Sequence, residues 1–228
     1  MIFAFSEEQE ELRKVVRRFL DTKSSESEVR RLMDTEDGYD TAVWTQMAEQ
    51  LGLQGLIIPE EFGGSGYSYV ELIVVLEEMG RALLCAPYFS SVALAANLLM
   101  ASGDESAKKD YLPGIADGSR IATVALAEES GRWDEDGVTL AATRSGSDWK
   151  LSGKKLFVLD GHAADLVLVA ARTGAGVSVF AVEAAAAGFT ATSLSTMDQT
   201  RKQARLTFAE TPARLVGSDG QGWAAILK

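Results

Sequence analysis

The residues of this sequence that could do acid–base chemistry are few, and a notable group lies in the stretch KKLFVLDGHAADLVLVAAR, from Lys154 to Arg172. Two apolar runs flank the polar interruption Asp160-Gly161-His162, which holds the one histidine of the chain. No serine or cysteine with the local signature of a nucleophile accompanies His162, so the sequence does not indicate a catalytic triad. The pattern favours a turn between two strands with His162 at the surface, and a general acid or base role for His162 is the alternative.

A second candidate is the glycine-rich stretch Gly63-Gly64-Ser65-Gly66, which precedes a predicted helix. Helix N-termini attract anions, so phosphate binding is one interpretation. The stretch lacks the GK[ST] ending of a P-loop, and no βαβ pattern follows it. A glycine turn without a ligand is therefore the favoured interpretation.

The remaining reactive side chains give little sign of a catalytic or metal centre. Adjacent glutamates at 60–61, 77–78 and 128–129 point to different faces of a helix, so they predict solvated charges rather than carboxylate pairs. One histidine and one cysteine are too few for an ordinary zinc site. Cys85 lies in the apolar stretch RALLCAPYF, which predicts a buried and unreactive thiol.

The overall charge argues against two classes of partner. The formal net charge is −11, which repels nucleic acid and anionic membrane surfaces. No apolar run reaches the ~20 residues that a transmembrane helix needs. The opening MIFAFSEEQEELRKV lacks the basic and apolar regions of a secretory signal, so we expect a cytoplasmic protein.

The elements that must position these residues change in type near Ser119. Before it, Ser6 and Gln9 have the spacing of a capping box ahead of an apolar stripe, which predicts a first helix. Further helices are predicted over 41–51, 69–79, 90–100 and 106–115, the third of these four being apolar on nearly every face.

After Ser119, β-branched or alternating segments recur at short intervals. Seven strands are predicted, namely IATVALAE, GVTLAATRS, SDWKLSGKKLFVL, DLVLVAAR, VSVFAVEA, FTATSLS and QARLTFAE. Seven short strands predict a sandwich or a small barrel. The final GSDGQGWAAILK predicts a turn and the start of a helix, so we expect the native chain to continue past Lys228.

The order of these segments resembles the acyl-CoA dehydrogenase family over essentially the whole chain. Four stretches carry the resemblance: FSEEQEELRKVVRRFL, LGLQGLIIPEEFGGSGYSYVELIVVLEEMGRA, LSGKKLFVLDGHAADLVLVAAR and TMDQTRKQARLTFAETPARLVGSDGQGW. The resemblance implies an α+β fold: an N-terminal all-α helical domain (1–118), then a middle β-barrel domain (119–216). Residues 217–228 would begin a C-terminal four-helix bundle whose remainder is missing from this chain.

The resemblance also implies a chemistry. Enzymes of the family bind FAD and remove the α and β hydrogens of an acyl-CoA, passing electrons to an electron-transfer flavoprotein. Their catalytic glutamate lies in the C-terminal bundle, so no catalytic residue is assigned within 1–228, and no metal ligand is implied. Expected partners are the acyl-CoA substrate and further acyl-CoA dehydrogenase chains in a homo- or hetero-oligomer.

The first group of implied cofactor-binding residues follows the first strand. Where the family reads roughly (V/T)-T-E-P-x-x-G-S-D, this chain reads LAEESGRWD, from Leu126 to Asp134. Leu126 and Ala127 would offer backbone contacts to the flavin, but Ala127 replaces the customary hydroxyl residue. Trp133 replaces the serine and would lie near the substrate thioester or the flavin phosphates.

The second group lies on the third predicted strand and near its partner. Phe157 occupies the position of the aromatic residue beside the flavin, and Leu159 occupies the position of a Thr or Ser that bonds near N5. Arg201 is a further candidate for the FAD pyrophosphate or CoA, because a guanidinium suits phosphate. A surface salt bridge is the alternative for Arg201.

Both customary hydroxyls are thus replaced in one chain. One interpretation is ordinary substitution in a working enzyme. The other is a degenerate, non-catalytic subunit of a hetero-oligomeric acyl-CoA dehydrogenase that binds flavin poorly by itself. The short motif from Asp198 to Arg201, DQTR, resembles the branch that acts on steroid CoA thioesters, where paired subunits occur.

Overall fold

Helices fill the first half of the chain and strands the second in a computed structural model, which describes residues 4–146 and 148–228. The helices are α1 (Glu7–Lys23), α2 (Glu26–Met33), α3 (Thr41–Glu49), α4 (Tyr69–Arg81), a π-helical segment (Phe89–Ala96) that continues into α5 (Asn97–Ala101), α6 (Glu105–Ala116) and α7 (Gly222–Ile226). The strands are β1 (Ala122–Ala125), β2 (Ala141–Ser145), β3 (Asp148–Leu159), β4 (Leu166–Thr173), β5 (Gly176–Glu183), β6 (Phe189–Leu194) and β7 (Gln203–Val216).

The predicted N-terminus of α1 is confirmed in detail. The Ser6 hydroxyl accepts the amide N–H of Gln9 at 3.2 Å, and the Gln9 side-chain oxygen accepts the amide N–H of Ser6 at 2.9 Å. Ser68 and Glu71 form the same reciprocal cap on α4. These bonds satisfy amide groups that a helix leaves unpaired at its start, which is why the sequence signal is reliable.

The helix α2 was not among the predicted helices. Its sequence, ESEVRRLM, is short and half of its residues are charged, and it buries only Val29 and Leu32. These two residues pack with Cys85, which is buried as predicted. Burial raises the pKa of the Cys85 thiol, so the side chain is a small apolar group rather than a nucleophile.

The strands form a barrel, as the sequence predicts. Around the barrel, β4 pairs with β5, β5 with β7, β7 with β3, β3 with β2, and β2 returns to β4. The closing contact is one parallel pair, Ala141 opposite Arg172, reinforced by the Arg172 side chain, whose Nε donates to the Val138 carbonyl at 2.8 Å. β1 adds to β4 in parallel and β6 adds to β7 antiparallel. Closure removes the open edges that would otherwise attract other strands.

The helices and the barrel share one apolar core. Leu20 and Met47 from the helices belong to the same buried cluster as Val169 and Phe180 from the barrel. Inside the barrel, Trp149 packs edge-on against Phe180, with 5.3 Å between ring centroids. Burial of such side chains is the main favourable term in folding.

The glycine stretch before α4 is a tight turn. Its amides donate within the chain: Ser65 to the Gly55 carbonyl at 2.9 Å and Gly66 to the Ile58 carbonyl at 2.9 Å. A Cβ at Gly64 would lie 1.9 Å from the Ile58 carbonyl oxygen, so this position has room only for glycine. Because these amides are already bonded, the structure favours the glycine turn over phosphate binding.

Glu78 corrects the prediction of a solvated charge, since its side chain is 1% exposed. It accepts two hydrogen bonds from Arg17, at 2.6 and 2.9 Å, and one from Arg81 at 2.9 Å. Arg13 bridges Glu78 to its exposed neighbour Glu77. The cluster joins α1 to α4, so this carboxylate stabilises the packing of two helices.

The arginines also set the charge state of Glu78. Hydrogen bonds from Arg17 and Arg81 lower the pKa of Glu78 from 4.5 to about 2, against the opposing effect of burial. A carboxyl group whose pKa is lower in the folded state stabilises the fold above its unfolded pKa, and this stability disappears as the pH falls through the folded pKa.

We therefore predict that the free energy of unfolding falls between about pH 4.5 and pH 2 as Glu78 takes up a proton. The substitution Glu78→Gln should lower the free energy of unfolding at pH 7 by on the order of 3 kcal/mol and flatten this acid limb. The measurement is urea unfolding over a pH series. Glu77→Gln, on the exposed neighbour, is the matched control and should change little; equal effects of the two substitutions would contradict the prediction.

Candidate functional site

A single apolar cleft of about 760 Å³ brings together five of the six predicted cofactor-binding residues. Leu126, Ala127 and Trp133 reach it from the segment after β1, and Phe157 and Leu159 reach it from the end of β3. The two segments are adjacent because the Leu156 amide donates to the Ala127 carbonyl at 2.9 Å. Main-chain pairing therefore aligns two stretches that lie about thirty residues apart in sequence.

Phe157 is the most unusual residue of the cleft. Its backbone has φ of +57°, in the left-handed region that bulky residues rarely adopt. The register between β3 and β7 shifts between Lys155 and Val158, so Phe157 lies in a β-bulge. The bulge leaves the aromatic ring 53% exposed at the cleft. A strained backbone that presents an apolar ring to solvent is typical of a binding site.

The helical domain supplies a wall of the cleft that sequence reasoning did not assign. Ala93, Leu94 and Asn97 line it from the π-helical segment and the start of α5. Tyr69, at the start of α4, is 61% exposed and donates its hydroxyl to the Asn97 side chain at 2.9 Å. The sequence signal that could have indicated this wall is the apolar character of 90–100 on nearly all faces. One face of this segment packs in the core, and another faces the cleft.

Further lining residues come from α5, the barrel and the last residues of the chain: Leu98, Met100, Ala101, Val124, Leu156, Val158, Gln203, Ala225, Ile226 and Lys228. Asn97, Gln203, Lys228, the Tyr69 hydroxyl and the Trp133 indole N–H are the polar side-chain groups among the described lining residues. The cleft therefore suits a large apolar ligand with few polar atoms.

The segment Leu126–Glu128 is fixed by hydrogen bonds on its carbonyl side. The Lys155 ammonium donates to the Leu126 carbonyl at 2.9 Å, and the Ala127 carbonyl accepts from Leu156. Within the described chain, the amide N–H groups of Leu126 and Ala127 make no hydrogen bond to another residue. Two main-chain donors thus stay available beside the apolar wall.

Glu128 is a second carboxylate for which the prediction of a solvated charge was wrong. It is 8% exposed and accepts from the Lys155 ammonium at 2.7 Å, from the amides of Thr139 and Leu140 at 2.9 Å each, and from the Thr139 hydroxyl. Burial opposes ionisation, but the hydrogen bonds from Lys155 and Thr139 outweigh it and lower the pKa of Glu128. Burial lowers the pKa of Lys155 to about 8, against the raising effect of its hydrogen bond to Glu128.

Leu159 lines the cleft but offers it no side-chain hydrogen bond. Its own carbonyl accepts the Thr123 hydroxyl at 2.6 Å, which ties the end of β3 to β1. Trp133 is 77% exposed and lies on a loop. This loop is stabilised by the Asp134 carboxylate, which accepts a hydrogen bond from the Gly137 amide at 2.9 Å. Leu159 and Trp133 therefore contribute apolar surface to the cleft.

Arg201 lies apart from the other five candidates, in a second cavity of about 240 Å³ that meets the first at Leu159. Its guanidinium donates to the carbonyls of Leu84 at 2.8 Å and Thr200 at 3.0 Å. The part of the chain that the structure describes gives it no salt bridge. Arg201 thus connects the loop before β7 to the end of the α4 region.

The segment Asp160-Gly161-His162 forms a turn, as predicted. His162 is half-buried rather than fully at the surface, and its Nε2 lies 3.0 Å from the Asp37 carbonyl. Asp160 also lines the second cavity, where it accepts the Ser90 hydroxyl at 2.6 Å. Within the described residues, the hydrogen-bonding partner of the His162 ring is the Asp37 main-chain carbonyl and not a serine or cysteine side chain.

The comparison with known proteins assigns the family. The model for the acyl-CoA dehydrogenase N-terminal domain matches residues 6–119, and the model for the acyl-CoA dehydrogenase middle domain matches residues 123–210. The chain therefore belongs to the acyl-CoA dehydrogenase family, and its helical domain followed by a β-barrel is the fold expected from the resemblance.

Individual family members and solved structures are similar to most of this chain. Mitochondrial isovaleryl-CoA dehydrogenase from Pongo abelii is 31% identical over 197 residues, which cover 82% of this chain and 46% of the relative. The structure of the Tcur3481-Tcur3483 steroid ACAD matches with a TM-score of 0.86 and 31% identity, over 97% of this chain and 59% of that one. The ChsE4-ChsE5 complex from Mycobacterium tuberculosis matches with a TM-score of 0.88 and 28% identity, over 99% of this chain and 61% of that one.

The chain thus spans about half the length of the curated relatives it matches. Among the residues that the structure describes, no group of His, Cys, Asp or Glu could hold a metal ion. In residues 4–146 and 148–228, no helix is both long and apolar enough to cross a membrane.

The residues of the cleft fit a flavin ring. A flavin is flat and apolar with one polar edge, so its site needs apolar walls and a few donors. Phe157, Leu126 and Leu159 are apolar side chains that would serve as such walls, and the amides of Leu126 and Ala127 are donors without another partner in the described chain. The side-chain hydroxyls expected at positions 127 and 159 are replaced by a methyl group and an isobutyl group.

The strain at Phe157 leads to a prediction for the protein without ligand. Phe157→Gly should leave the free energy of unfolding unchanged or raise it, since glycine adopts positive φ freely and the lost ring is half exposed. Phe157→Ala removes the same ring but keeps the strain, so it should be less stable than Phe157→Gly by about 1 kcal/mol. Thermal unfolding of both variants measures the difference, and equal stabilities would show that the backbone at Phe157 is not strained.

Proposed function

We propose that this chain supplies the N-terminal helical domain (1–118) and the middle β-barrel domain (119–216) of an FAD-dependent acyl-CoA dehydrogenase, with 217–228 starting a further helical domain. The reaction is α,β-dehydrogenation of an acyl-CoA thioester with a fatty or steroid side-chain acyl group. The observation that carries the proposal is the aromatic ring of Phe157, held by a strained bulge at the edge of a large apolar cleft.

In this proposal each cleft residue has a physical task. Phe157, Leu126 and Leu159 exclude water from the flavin ring, and the Ala127 amide donates to its polar edge. Trp133 covers the substrate thioester or the phosphate side of the cofactor. When bound, FAD supplies the acceptor for the hydride that leaves the substrate β-carbon.

The wall from the helical domain suits the acyl group. Ala93 and Leu94 offer small apolar surfaces, and Asn97 and Tyr69 offer the polar atoms nearby. The described residues that line the cleft include no carboxylate side chain, so we name no catalytic base among them. We further propose a cytoplasmic location and an electron-transfer flavoprotein as the electron acceptor.

Titration of FAD into the purified chain tests the proposal. Flavin fluorescence is quenched and its visible spectrum gains fine structure when the ring enters an apolar site, so both signals report binding. Phe157→Ala should weaken binding by about tenfold, because an aromatic contact is worth roughly 1 kcal/mol or more beyond area alone. Tyr67→Ala is the matched control, since Tyr67 is a similarly exposed aromatic that does not line the cleft. A chain whose FAD affinity is unaffected by Phe157→Ala would contradict the proposed site.

The two replaced hydroxyls allow a gain-of-function prediction. Leu159→Thr and Ala127→Thr should each tighten FAD binding by up to about tenfold, since one hydrogen bond adds roughly 0.5–1.5 kcal/mol. Leu159→Val and Ala127→Val are the controls, because valine matches the shape of threonine without its hydroxyl. Isothermal titration gives the affinities, and equal affinities for the Thr and Val variants would show that neither position faces the flavin edge.

A second candidate function is supported by the same two replacements. Ala127 and Leu159 remove both side-chain donors, which suits a subunit that stabilises a flavin-bearing partner and has poor flavin binding of its own. One of the similar structures is the ChsE4-ChsE5 complex, and the name of another, the Tcur3481-Tcur3483 steroid ACAD, also joins two chain names. A hetero-oligomer with a sister acyl-CoA dehydrogenase chain is therefore the alternative to a homo-oligomeric enzyme.

Co-expression with a neighbouring acyl-CoA dehydrogenase gene separates these candidates. The hetero-oligomer predicts FAD only in the mixed complex, with a stoichiometry below one flavin per chain, because flavin contacts come mainly from the sister chain. The measurement is the visible flavin absorbance per protein after gel filtration. One full equivalent of FAD on this chain purified alone would count against the hetero-oligomer and favour the homo-oligomeric enzyme.

A further inference from the structure

Lys155 is the most deeply buried charged residue in the described chain, with a relative exposure of 0%. A buried ammonium loses its hydration, and a buried ion pair is often replaceable by apolar residues without loss of stability. The Lys155–Glu128 pair is therefore not explained by stability alone. The hydrogen bonds of Lys155 indicate a second role, which is to hold a backbone carbonyl beside the cleft.

The Leu126 carbonyl is held by the buried Lys155 side chain. The Lys155 ammonium donates to this carbonyl at 2.9 Å and to Glu128 Oε1 at 2.7 Å. Glu128 cannot move freely, because the amides of Thr139 and Leu140 and the Thr139 hydroxyl also donate to it. The ammonium is thus anchored, and it holds the Leu126 carbonyl in one direction.

The direction of the Ala127 N–H follows from that of the Leu126 carbonyl, because the two groups belong to one planar peptide. The described chain has no cis peptide bond, so the Leu126–Ala127 peptide is trans. In a planar trans peptide the C=O of one residue and the N–H of the next point in opposite directions. Because the Leu126 carbonyl points to Lys155, the Ala127 N–H points away from it. No described residue accepts that N–H, and Ala127 lines the cleft.

We propose that Lys155, anchored by Glu128, is a positioning residue that turns the Ala127 amide toward the cleft, where it is the main donor to the polar edge of the flavin. This inference rests on the proposed flavin site and names the residue pair that holds one of its donors in place. The chain lacks a side-chain hydroxyl at positions 127 and 159. In this proposal the flavin edge is therefore recognised mainly by the Ala127 backbone amide, and the direction of that amide becomes decisive.

The test uses Lys155→Met together with Glu128→Gln, which removes both buried charges and keeps the side-chain volumes. Lys150→Met, on the exposed face of the same strand, is the control. Thermal unfolding shows that each variant is folded. Should the double variant not fold, Lys155→Arg, which keeps the charge but displaces the donor, takes its place.

Two measurements then separate the positioning role from the flavin site. The first needs no flavin: the amide resonance and order parameter of Ala127, measured by NMR, should show a reoriented or more mobile peptide in the variant and no change in Lys150→Met. The second is FAD affinity with the frequency of the flavin C2=O stretch, which a lost hydrogen bond raises. We expect about tenfold weaker binding and the higher frequency in the folded variant.

Each result has a definite meaning. An unchanged Ala127 amide in a folded variant overturns the positioning role, whatever the flavin data show. A changed amide with unchanged FAD affinity and C2=O frequency overturns the donor role. If the unsubstituted chain binds no FAD while the amide changes as expected, the peptide is positioned by Lys155 but the flavin site proposed for this chain is wrong.

Discussion

The burial of Lys155 beside Glu128 is the interaction on which the cleft depends. An ammonium and a carboxylate without water are unfavourable unless each finds hydrogen-bonding partners. Here most partners are backbone groups: the Leu126 carbonyl on one side and the amides of Thr139 and Leu140 on the other, with the Thr139 hydroxyl as an additional donor to Glu128. The pair thereby joins β3, the segment after β1 and the segment before β2 into one rigid edge.

The strain at the end of β3 depends on that rigidity. Phe157 and Asp160 both have positive φ, and such conformations persist only where the surrounding structure holds them. Between them, Val158 is buried and pairs with Ala204 on β7, while Lys155 is fixed before the bulge. The strand is therefore held on both sides of Phe157, whose ring lines the cleft.

Two carboxylates show how the same local sequence leads to different environments. Glu77 and Glu78 are neighbours, yet Glu77 is exposed and Glu78 is buried among arginines from two helices. Helix geometry separates adjacent side chains by about 100°, so Glu78 lies between α1 and α4 while Glu77 lies at the edge of this contact, where Arg13 of α1 still reaches it. The arginines that neutralise Glu78 lie about sixty residues earlier or three residues later, and the distant partner is invisible to local patterns.

The sequence by itself determined the seven strands, the helices other than α2 and the capped start of α1, because these follow from local periodicity and from hydrogen bonds between residues three apart. The resemblance to a family selected five residues that the structure places in one cleft. Only the tertiary structure decided which charges are buried, where β3 shifts register at Phe157, and that Arg201 lies in a separate cavity. These outcomes depend on contacts between residues far apart in the chain, and the energy of such contacts is set by burial and geometry that no local pattern encodes.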